Sequence, residues 1–132
     1  MRISRSTGYG LVAAGYIAQN CKDAPVLAQR VSKEYNIPLE YLLKILQQLV
    51  RADVLRSKRG PRGGFTLART ADKISMLQIV EAVEGPLLTR MHLAEQTKNA
   101  PFSLRMERVC DNAAKQGKAV FDNASLAKML RG

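Results

Sequence analysis

The fold is decided by the stretch from residue 38 to residue 67, which reads PLEYLLKILQQLVRADVLRSKRGPRGGFTL. At about 100° per residue, the side chains over 38–54 separate into an apolar and a polar face, which predicts an amphipathic helix. Pro38 suits its first turn, because a backbone N–H there has no partner within the helix. The apolar face holds Leu39, Leu42, Leu43, Ile45, Leu46, Leu49 and Val50. The opposite face holds Glu40, Tyr41, Lys44, Gln47, Gln48 and Arg51.

A β-hairpin is predicted directly after this helix, from two short extended segments over 54–58 and 64–69. Phe65 and Leu67 alternate with polar or small residues, as in a strand with one buried face. The turn GPRGG lacks the Lys-Ser/Thr pair of a P-loop and the G-x-G-x-x-G spacing of a dinucleotide fold. It also lies between two strands, so a nucleotide site is disfavoured. A disordered Arg-Gly segment is disfavoured because the pattern occurs only once.

The remaining elements are predicted from apolar periodicity and from Pro and Gly breaks. Further helices are expected over 9–20, 26–35, 74–85 and 102–120. Ser125 is a plausible cap for a short closing helix. The predicted fold is therefore mainly α-helical with one small β-hairpin. It comprises a compact unit over 1–85, a connecting loop without strong period over 86–101, and a C-terminal helical part over 102–132.

The chain of 132 residues carries a formal net charge of +10. Such a positive field most often serves a polyanion, with nucleic acid as the first choice and an acidic membrane surface as the second. A hydrophobic content of 46% argues against disorder, and no apolar run approaches the roughly 20 residues that span a bilayer. The first ten residues show no secretion signal, and two cysteines do not make a disulfide scaffold. We therefore expect a cytoplasmic protein with no membrane part.

A helix, a tight break, an amphipathic helix and a basic hairpin together predict a winged helix-turn-helix domain. Its second helix enters the major groove, and its hairpin reaches the flanking backbone or minor groove. Lysine and glutamine on the helix suit guanine and adenine edges, and arginines of the hairpin suit phosphates or a narrow minor groove. The predicted DNA-binding residues are Arg2, Glu40, Tyr41, Lys44, Gln48, Arg56, Lys58, Arg59, Gly60, Pro61, Arg62, Gly63 and Gly64.

The long C-terminal helix carries one apolar stripe, at positions 102, 106, 109, 110, 113, 117 and 120. A single helix with one apolar seam needs a surface to cover it. It either packs back on its own core or pairs with the same helix of a second subunit, and the second alternative is favoured. The predicted dimer interface consists of Phe102, Met106, Val109, Cys110, Ala113 and Val120.

Four stretches together resemble the Rrf2 family of bacterial transcription regulators over nearly the whole chain. They are MRIS…GYGL at the start, PLEYLLKILQQLVRADVLRSKRGPRGGFTLART, ISMLQIVEAVEGPL and the late SLAKML. The resemblance implies a homodimer held by the long C-terminal helix and a partly palindromic operator in double-stranded DNA. It also implies that Arg59 enters the minor groove. Such a protein represses or activates transcription by occupying its operator, and the sequence leaves repressor and activator open.

Two departures from the family bear on function. Cluster-binding members carry three cysteines in the connection before the long helix, whereas residues 86–105 here contain none. Phe102 and Arg105 stand where the family often has a cysteine and a histidine. Because thiolates hold iron–sulfur clusters, we predict no cluster and no other cofactor. Leu43 follows Tyr41-Leu42 where the family often has an acidic residue, so the operator sequence does not transfer.

Several other functions are weighed against this interpretation. The lone histidine, His92, and the scattered carboxylates argue against an enzyme, so no catalytic residue is assigned. A metal site from His92 and Glu95 lacks further ligands, and Cys110 lies on the apolar stripe as a buried small hydrophobe would. A metal or redox sensor using His92, Cys21 or Cys110, a module that docks on a metabolic enzyme, and RNA binding remain as alternatives. An effector of unknown identity is expected to bind within 86–101.

Overall fold

The computed structural model describes residues 2–87 and 91–132. Its helices are α1 (Arg5–Asn20), α2 (Ala28–Tyr35), α3 (Leu39–Arg51), α4 (Met76–Glu84), α5 (Leu93–Gln96), α6 (Pro101–Asp122) and α7 (Leu126–Arg131). Strands β1 (Leu55–Lys58) and β2 (Gly64–Leu67) pair antiparallel, and Ala71–Lys73 form one turn of 3₁₀ helix. The predicted fold class, mainly helical with one hairpin and a long C-terminal helix, is confirmed. We call β1, β2 and the turn between them the wing.

Helices α1, α3 and α4 pack around a single core. The central side chains of α3 are almost completely buried, and they are Leu42, Ile45, Leu46 and Leu49. The prediction that Leu43 belongs to this buried face is wrong, since 39% of the residue is exposed. Leu43 lies roughly 120° around the helix from Leu49, and that angle turns it away from α1 and α4.

The N-terminus of α1 is fixed by side chains and begins at Arg5 rather than at residue 9. Ser4 caps the helix, because its side chain accepts a hydrogen bond from the Thr7 N–H. The Glu84 carboxylate accepts hydrogen bonds from the Ser4 N–H and, at 2.8 Å, from the Thr7 hydroxyl. The start of the chain is thereby tied to the end of α4.

The wing is joined to the segment between α1 and α2. The Val26 N–H donates to the Phe65 carbonyl at 2.9 Å, and the Phe65 N–H donates to the Val26 carbonyl at 2.8 Å. Because Val26 is used in this extended pairing, α2 begins at Ala28 instead of residue 26. Leu55 and Phe65 turn their side chains into the core. The hairpin is therefore part of the folded domain, and its base is held in place by Val26 and the core.

The connection before α6 differs from the loop expected over 86–101. A short helix, α5, lies within it, while residues 88–90 fall outside the described part of the chain. The Ala94 N–H donates to the Glu107 carboxylate at 2.8 Å, and the Thr97 hydroxyl contacts the Ser103 hydroxyl at 2.7 Å. These two bonds, together with the buried Ala94, hold α5 against the start of α6.

The chain returns to the first unit after α6. The Met76 N–H donates to the Ala124 carbonyl at 2.8 Å, and the Leu126 N–H donates to the Ile74 carbonyl at 2.7 Å. Leu126 of α7 is buried in the main core, although this short helix was predicted to be part of the C-terminal region over 102–132. Ser125 caps α7 by accepting from the Lys128 N–H, as predicted. The start of α6 is thus held to α5, and the segment after its end is held to the first unit.

We expect Gly64→Ala to lower the free energy of unfolding by about 1–3 kcal/mol. An added Cβ would lie 2.6 Å from the Val26 carbonyl oxygen, and the residue has a φ of +140°. Urea unfolding followed by circular dichroism measures the change. Gly8→Ala is the matched control, because nothing lies within 4 Å of its added Cβ. It should raise stability by up to about 1 kcal/mol through helix propensity. A Gly64→Ala protein as stable as the wild type would contradict the fixed base of the wing.

Candidate nucleic-acid interface

The exposed side of α3 is the first part of the candidate surface. Most of the predicted contact residues on it are exposed, and Gln48 is partly buried. A helix of 13 residues is about 20 Å long, which suits the major groove of B-DNA. Leu43, Gln47 and Arg51 are also exposed on this helix. An apolar side chain, Leu43, therefore lies beside the polar ones.

Tyr41 is fixed against α1. Its hydroxyl is hydrogen-bonded to the Ser6 hydroxyl, and its ring meets the Tyr9 ring edge-on with centroids 5.8 Å apart. The N-terminal turn of α1 and the start of α3 therefore lie side by side. Ser6 and the exposed Arg5 belong to this surface, although neither was among the predicted DNA-binding residues. No periodicity or motif marks Ser6, because its partner is 35 residues away.

The wing is the second part of the candidate surface. Arg56 and Lys58 are two residues apart in β1, so both point away from the buried side of the sheet. Arg59, Gly60, Pro61 and Arg62 are exposed at the tip. The Gly63 N–H donates to the Gly60 carbonyl at 2.9 Å and closes the turn.

Two glycines make this turn tight. Gly60 has a φ of +109°, which L side chains rarely adopt. Gly63 has no room for a side chain, since an added Cβ would lie 2.3 Å from the Lys58 carbonyl oxygen. The backbone conformation of the tip thus depends on Gly60 and Gly63, two of the predicted DNA-binding residues.

The basic side chains of this surface are not neutralised within the described residues. Ion pairs in that part of the chain join Arg69 to Asp53 at 3.8 Å and His92 to Glu95 at 3.7 Å. None involves a cation of α3 or of the wing. The wing and α3 therefore present unpaired positive charge, and charge of this kind attracts anions.

Arg2 has a different neighbourhood. It is exposed and lines a cavity that also contacts Glu84, at the end of α4, and Cys110, in the middle of α6. Hydrogen bonds from the hydroxyl and N–H of Ser4 and from Thr7 lower the pKa of Glu84, and the charge of Arg2 adds to this effect. Arg2 therefore lies beside the long helix as well as beside α1.

The predicted interface residues of α6 are exposed in the single chain. Phe102, Met106, Val109 and Val120 are 53–70% exposed, and Cys110 and Ala113 are exposed too. Helix α6 contacts α4, but among the described residues the chain's own core does not cover the large apolar side chains of the stripe. The expectation that Cys110 is buried is likewise not met within one chain.

The alternative metal site has few ligands. His92 and Glu95 are close to each other, but both side chains are mostly exposed. In residues 2–87 and 91–132, no group of three His, Cys, Asp or Glu side chains is placed to hold a metal ion. Across the same residues, no helix has the length and apolar character needed to cross a membrane.

Comparison with known proteins identifies a family whose sequence pattern this chain matches. The family model described as "Rrf2: Iron-dependent Transcriptional regulator" matches residues 3–132. A protein of Aquifex aeolicus named as an HTH-type transcriptional regulator is 38% identical over 81 residues, or 61% of this chain and 56% of that protein. BadM of Rhodopseudomonas palustris, named likewise, is 38% identical over 84 residues, or 64% and 53%. The match thus spans about half the length of these relatives.

Solved structures share the fold over almost the whole chain. CymR of B. subtilis, titled the global cysteine regulator, has a TM-score of 0.78 at 22% identity and covers 99% of this chain and 97% of its own. IscR of T. potens has a TM-score of 0.75 at 25% identity, covering 99% and 87%. Oxidized CymR of Staphylococcus aureus has a TM-score of 0.71 at 25% identity, covering 100% and 98%. These neighbours confirm the winged-helix fold.

Iron, which the family's description names, does not fit the ligands of this chain as a cluster. Cys21 follows α1 and Cys110 lies in the middle of α6, and neither belongs to a group of three metal-ligating side chains among the described residues. A cluster held by thiolates needs more of them than this. The match over residues 3–132 nevertheless establishes that this chain belongs to the Rrf2 family of transcriptional regulators, and not to a family of enzymes, as the sequence predicted.

Proposed function

We propose that this chain is a sequence-specific DNA-binding transcription regulator that acts as a homodimer on a partly palindromic operator. The observation that carries the proposal is the surface formed by α3 and the wing, whose cations have no carboxylate partner among the described residues. Family membership and the names of the relatives support the same function. Because its target is chromosomal DNA, we place the protein in the cytoplasm.

In this proposal α3 reads base edges in the major groove. The Lys44 ammonium suits the guanine acceptors, the Gln48 amide suits adenine, and the Glu40 carboxylate suits the amino group of cytosine. Tyr41 is fixed by α1, so its role is to position the helix on the phosphate backbone. Leu43 adds an apolar contact of the kind that thymine methyl groups offer.

The wing is proposed to hold the DNA beside the groove that α3 enters. Its tip carries Arg59 and Arg62 on a tight turn, which lets the guanidinium groups reach phosphates or a narrow minor groove. Arg56 and Lys58 extend the positive charge along β1 on one face. The wing thus contributes affinity, and α3 contributes sequence discrimination.

The exposed stripe of α6 is proposed to pair with the same stripe of a second subunit. Large apolar side chains that are 53–70% exposed on one helix favour association. Two α3 helices related by a two-fold axis would then occupy major grooves about 34 Å apart. A dimer of this kind accounts for a partly palindromic operator.

The proposed regulator works without an iron–sulfur cluster. The connection before α6 contains no thiol, and the two cysteines of the chain lie in other parts of the fold. Regulation must therefore come from an effector of another chemical class, or from the amount of protein made.

Arg59→Ala should weaken binding to a selected operator duplex by about 1–3 kcal/mol, roughly five- to 150-fold. The substitution removes the charge at the tip and any contact in the minor groove. Fluorescence anisotropy over a salt series, with selected and random duplexes, measures it. Lys115→Ala is the matched control, because it removes the same charge from an exposed position of α6 opposite the stripe. Equal affinities of wild type and Arg59→Ala would contradict the role of the wing.

Val109→Glu should convert the dimer into monomers, because it places a charge in an apolar interface. Val109 is 69% exposed in the single chain, so the fold should persist. Sedimentation velocity gives the oligomeric state, and circular dichroism gives the fold. Lys115→Glu, on the opposite side of α6, should remain dimeric. A wild-type protein that is monomeric would contradict the homodimer and favour the alternative in which the stripe docks on another protein, such as a metabolic enzyme.

Protein purified without oxygen should show no visible absorption band and only substoichiometric iron and sulfide. The reason is the lack of a thiolate set for a cluster. Absorption spectra, together with iron and sulfide assays, are the measurements. A visible absorption band with stoichiometric iron and sulfide would overturn the proposed cluster-free regulator.

A further inference from the structure

A cavity of about 460 Å³ lies where three parts of the fold meet, and we call it the junction cavity. Its wall includes Arg2 from the N-terminus, Glu84 from the end of α4, and Cys110, Ala113 and Ala114 from α6. Cys110 and Ala113 are also predicted interface residues, so in the proposed dimer this side of the cavity faces the partner subunit. Leu87 and Met91, on either side of residues 88–90, add apolar surface. This volume falls within the range of about 300–1,000 Å³ that is typical of small-molecule sites.

The cavity wall carries one positive and one negative side chain. Arg2 makes no salt bridge with a carboxylate of the described residues. Glu84 receives its hydrogen bonds from Ser4 and Thr7 on the oxygen Oε1. The Glu84 carboxylate lies in the cavity wall, so it can also contact a ligand. One cation and one carboxylate are therefore available to a ligand.

The pair of charges decides the class of ligand. A simple anion would be attracted by Arg2 and repelled by Glu84, and a simple cation would meet the reverse. A zwitterion satisfies both, with its carboxylate on Arg2 and its ammonium group on Glu84. A metal ion is disfavoured, because the described residues contain no group of three ligands.

We propose that the junction cavity binds a small zwitterion with an apolar body, namely an α-amino acid with an apolar side chain, as an effector. Arg2 binds its carboxylate, Glu84 binds its ammonium group, and its side chain packs on Leu87, Met91 and Ala114. The effector role rests on the proposed function in DNA binding, whereas the binding site itself does not.

Binding at this place is coupled to the DNA-binding surface in two ways. Arg2 is a predicted DNA contact, and a ligand carboxylate would take its guanidinium away from phosphate. The cavity also has walls from both α4 and α6, so a ligand favours the arrangement of the two that fits it best. We expect the amino acid to weaken operator binding roughly five- to 150-fold, the usual range of coupling between two sites.

The test of the site is calorimetric titration of the full chain with L-leucine, L-methionine and L-phenylalanine. For the tightest probe, the analogues that lack either the amino or the carboxylate group are titrated too. The zwitterion should bind at least about tenfold more tightly than either analogue. Absence of heat with all three amino acids at millimolar concentration, or equal affinity of an analogue, would overturn the proposal.

Two variants and one control locate the ligand. Ala114→Leu fills the cavity and Arg2→Gln removes the carboxylate partner, so both should abolish or weaken binding at least about tenfold. Ala119→Leu makes the same change at an exposed position of α6 outside the cavity wall, and it should bind like the wild type. Circular dichroism confirms that each variant is folded. If Ala114→Leu and Arg2→Gln bind like the wild type, the assigned cavity is wrong.

The effector role is tested separately, by measuring the affinity for a selected duplex with and without the tightest probe. Weaker duplex binding in the wild type, with no such change in Ala114→Leu, would support it. Unchanged affinity in the presence of bound amino acid would overturn the effector role. A protein that binds no selected duplex at all would instead overturn the proposed function, while calorimetry still decides the cavity.

Discussion

The rest of the structure depends on the backbone pairing of Val26 with Phe65. Two hydrogen bonds, of 2.9 and 2.8 Å, attach the wing to the segment between α1 and α2. A two-stranded hairpin alone is marginally stable in water, and this third extended segment gives it a partner. Because Val26 is used in this pairing, α2 begins only at Ala28, and α2 then leads into α3. The wing and α3 therefore keep a fixed relative position. The proposed function requires this, because α3 enters the major groove while the wing contacts the DNA beside that groove.

A second constraint is that α6 is bonded to α5 at its start and to the main core after its end, while its apolar stripe is exposed. At its start, Glu107 accepts the Ala94 N–H, and after its end Leu126 is buried in the main core. The apolar side chains between these points have no cover within the described residues. Their burial against another surface would gain about 25 cal/mol per Å² of apolar area. Helix α6 can therefore pair with the same helix of a second chain while it keeps its contacts with α5 and the main core of its own chain.

Sequence patterns predicted what local chemistry decides, and they missed what distant contacts decide. The amphipathic period of α3 and the Ser125 cap depend on neighbouring residues, and both were predicted. The pairing of Val26 with Phe65, the helix α5 and the contact between Ser6 and Tyr41 depend on partners far along the chain or in another element. Leu43 was misplaced because a helical wheel gives the angle of a side chain but not the width of the core that covers it.

Because the connection before α6 contains no thiolates that could hold a cluster, we place the control of DNA binding at the junction cavity instead. An effector changes DNA binding only if it binds two arrangements of the protein with different free energies. In this fold α6 contacts α4, and the segment after α6 is hydrogen-bonded to Ile74 and Met76 at the start of α4. The start of α4 is therefore bonded to the segment after α6, and the end of α4 holds the N-terminal turn of α1 through Glu84. That turn lies against Tyr41 at the start of α3. A ligand beside the middle of α6 would thus be linked through packed and hydrogen-bonded groups to α3, the helix proposed to read DNA.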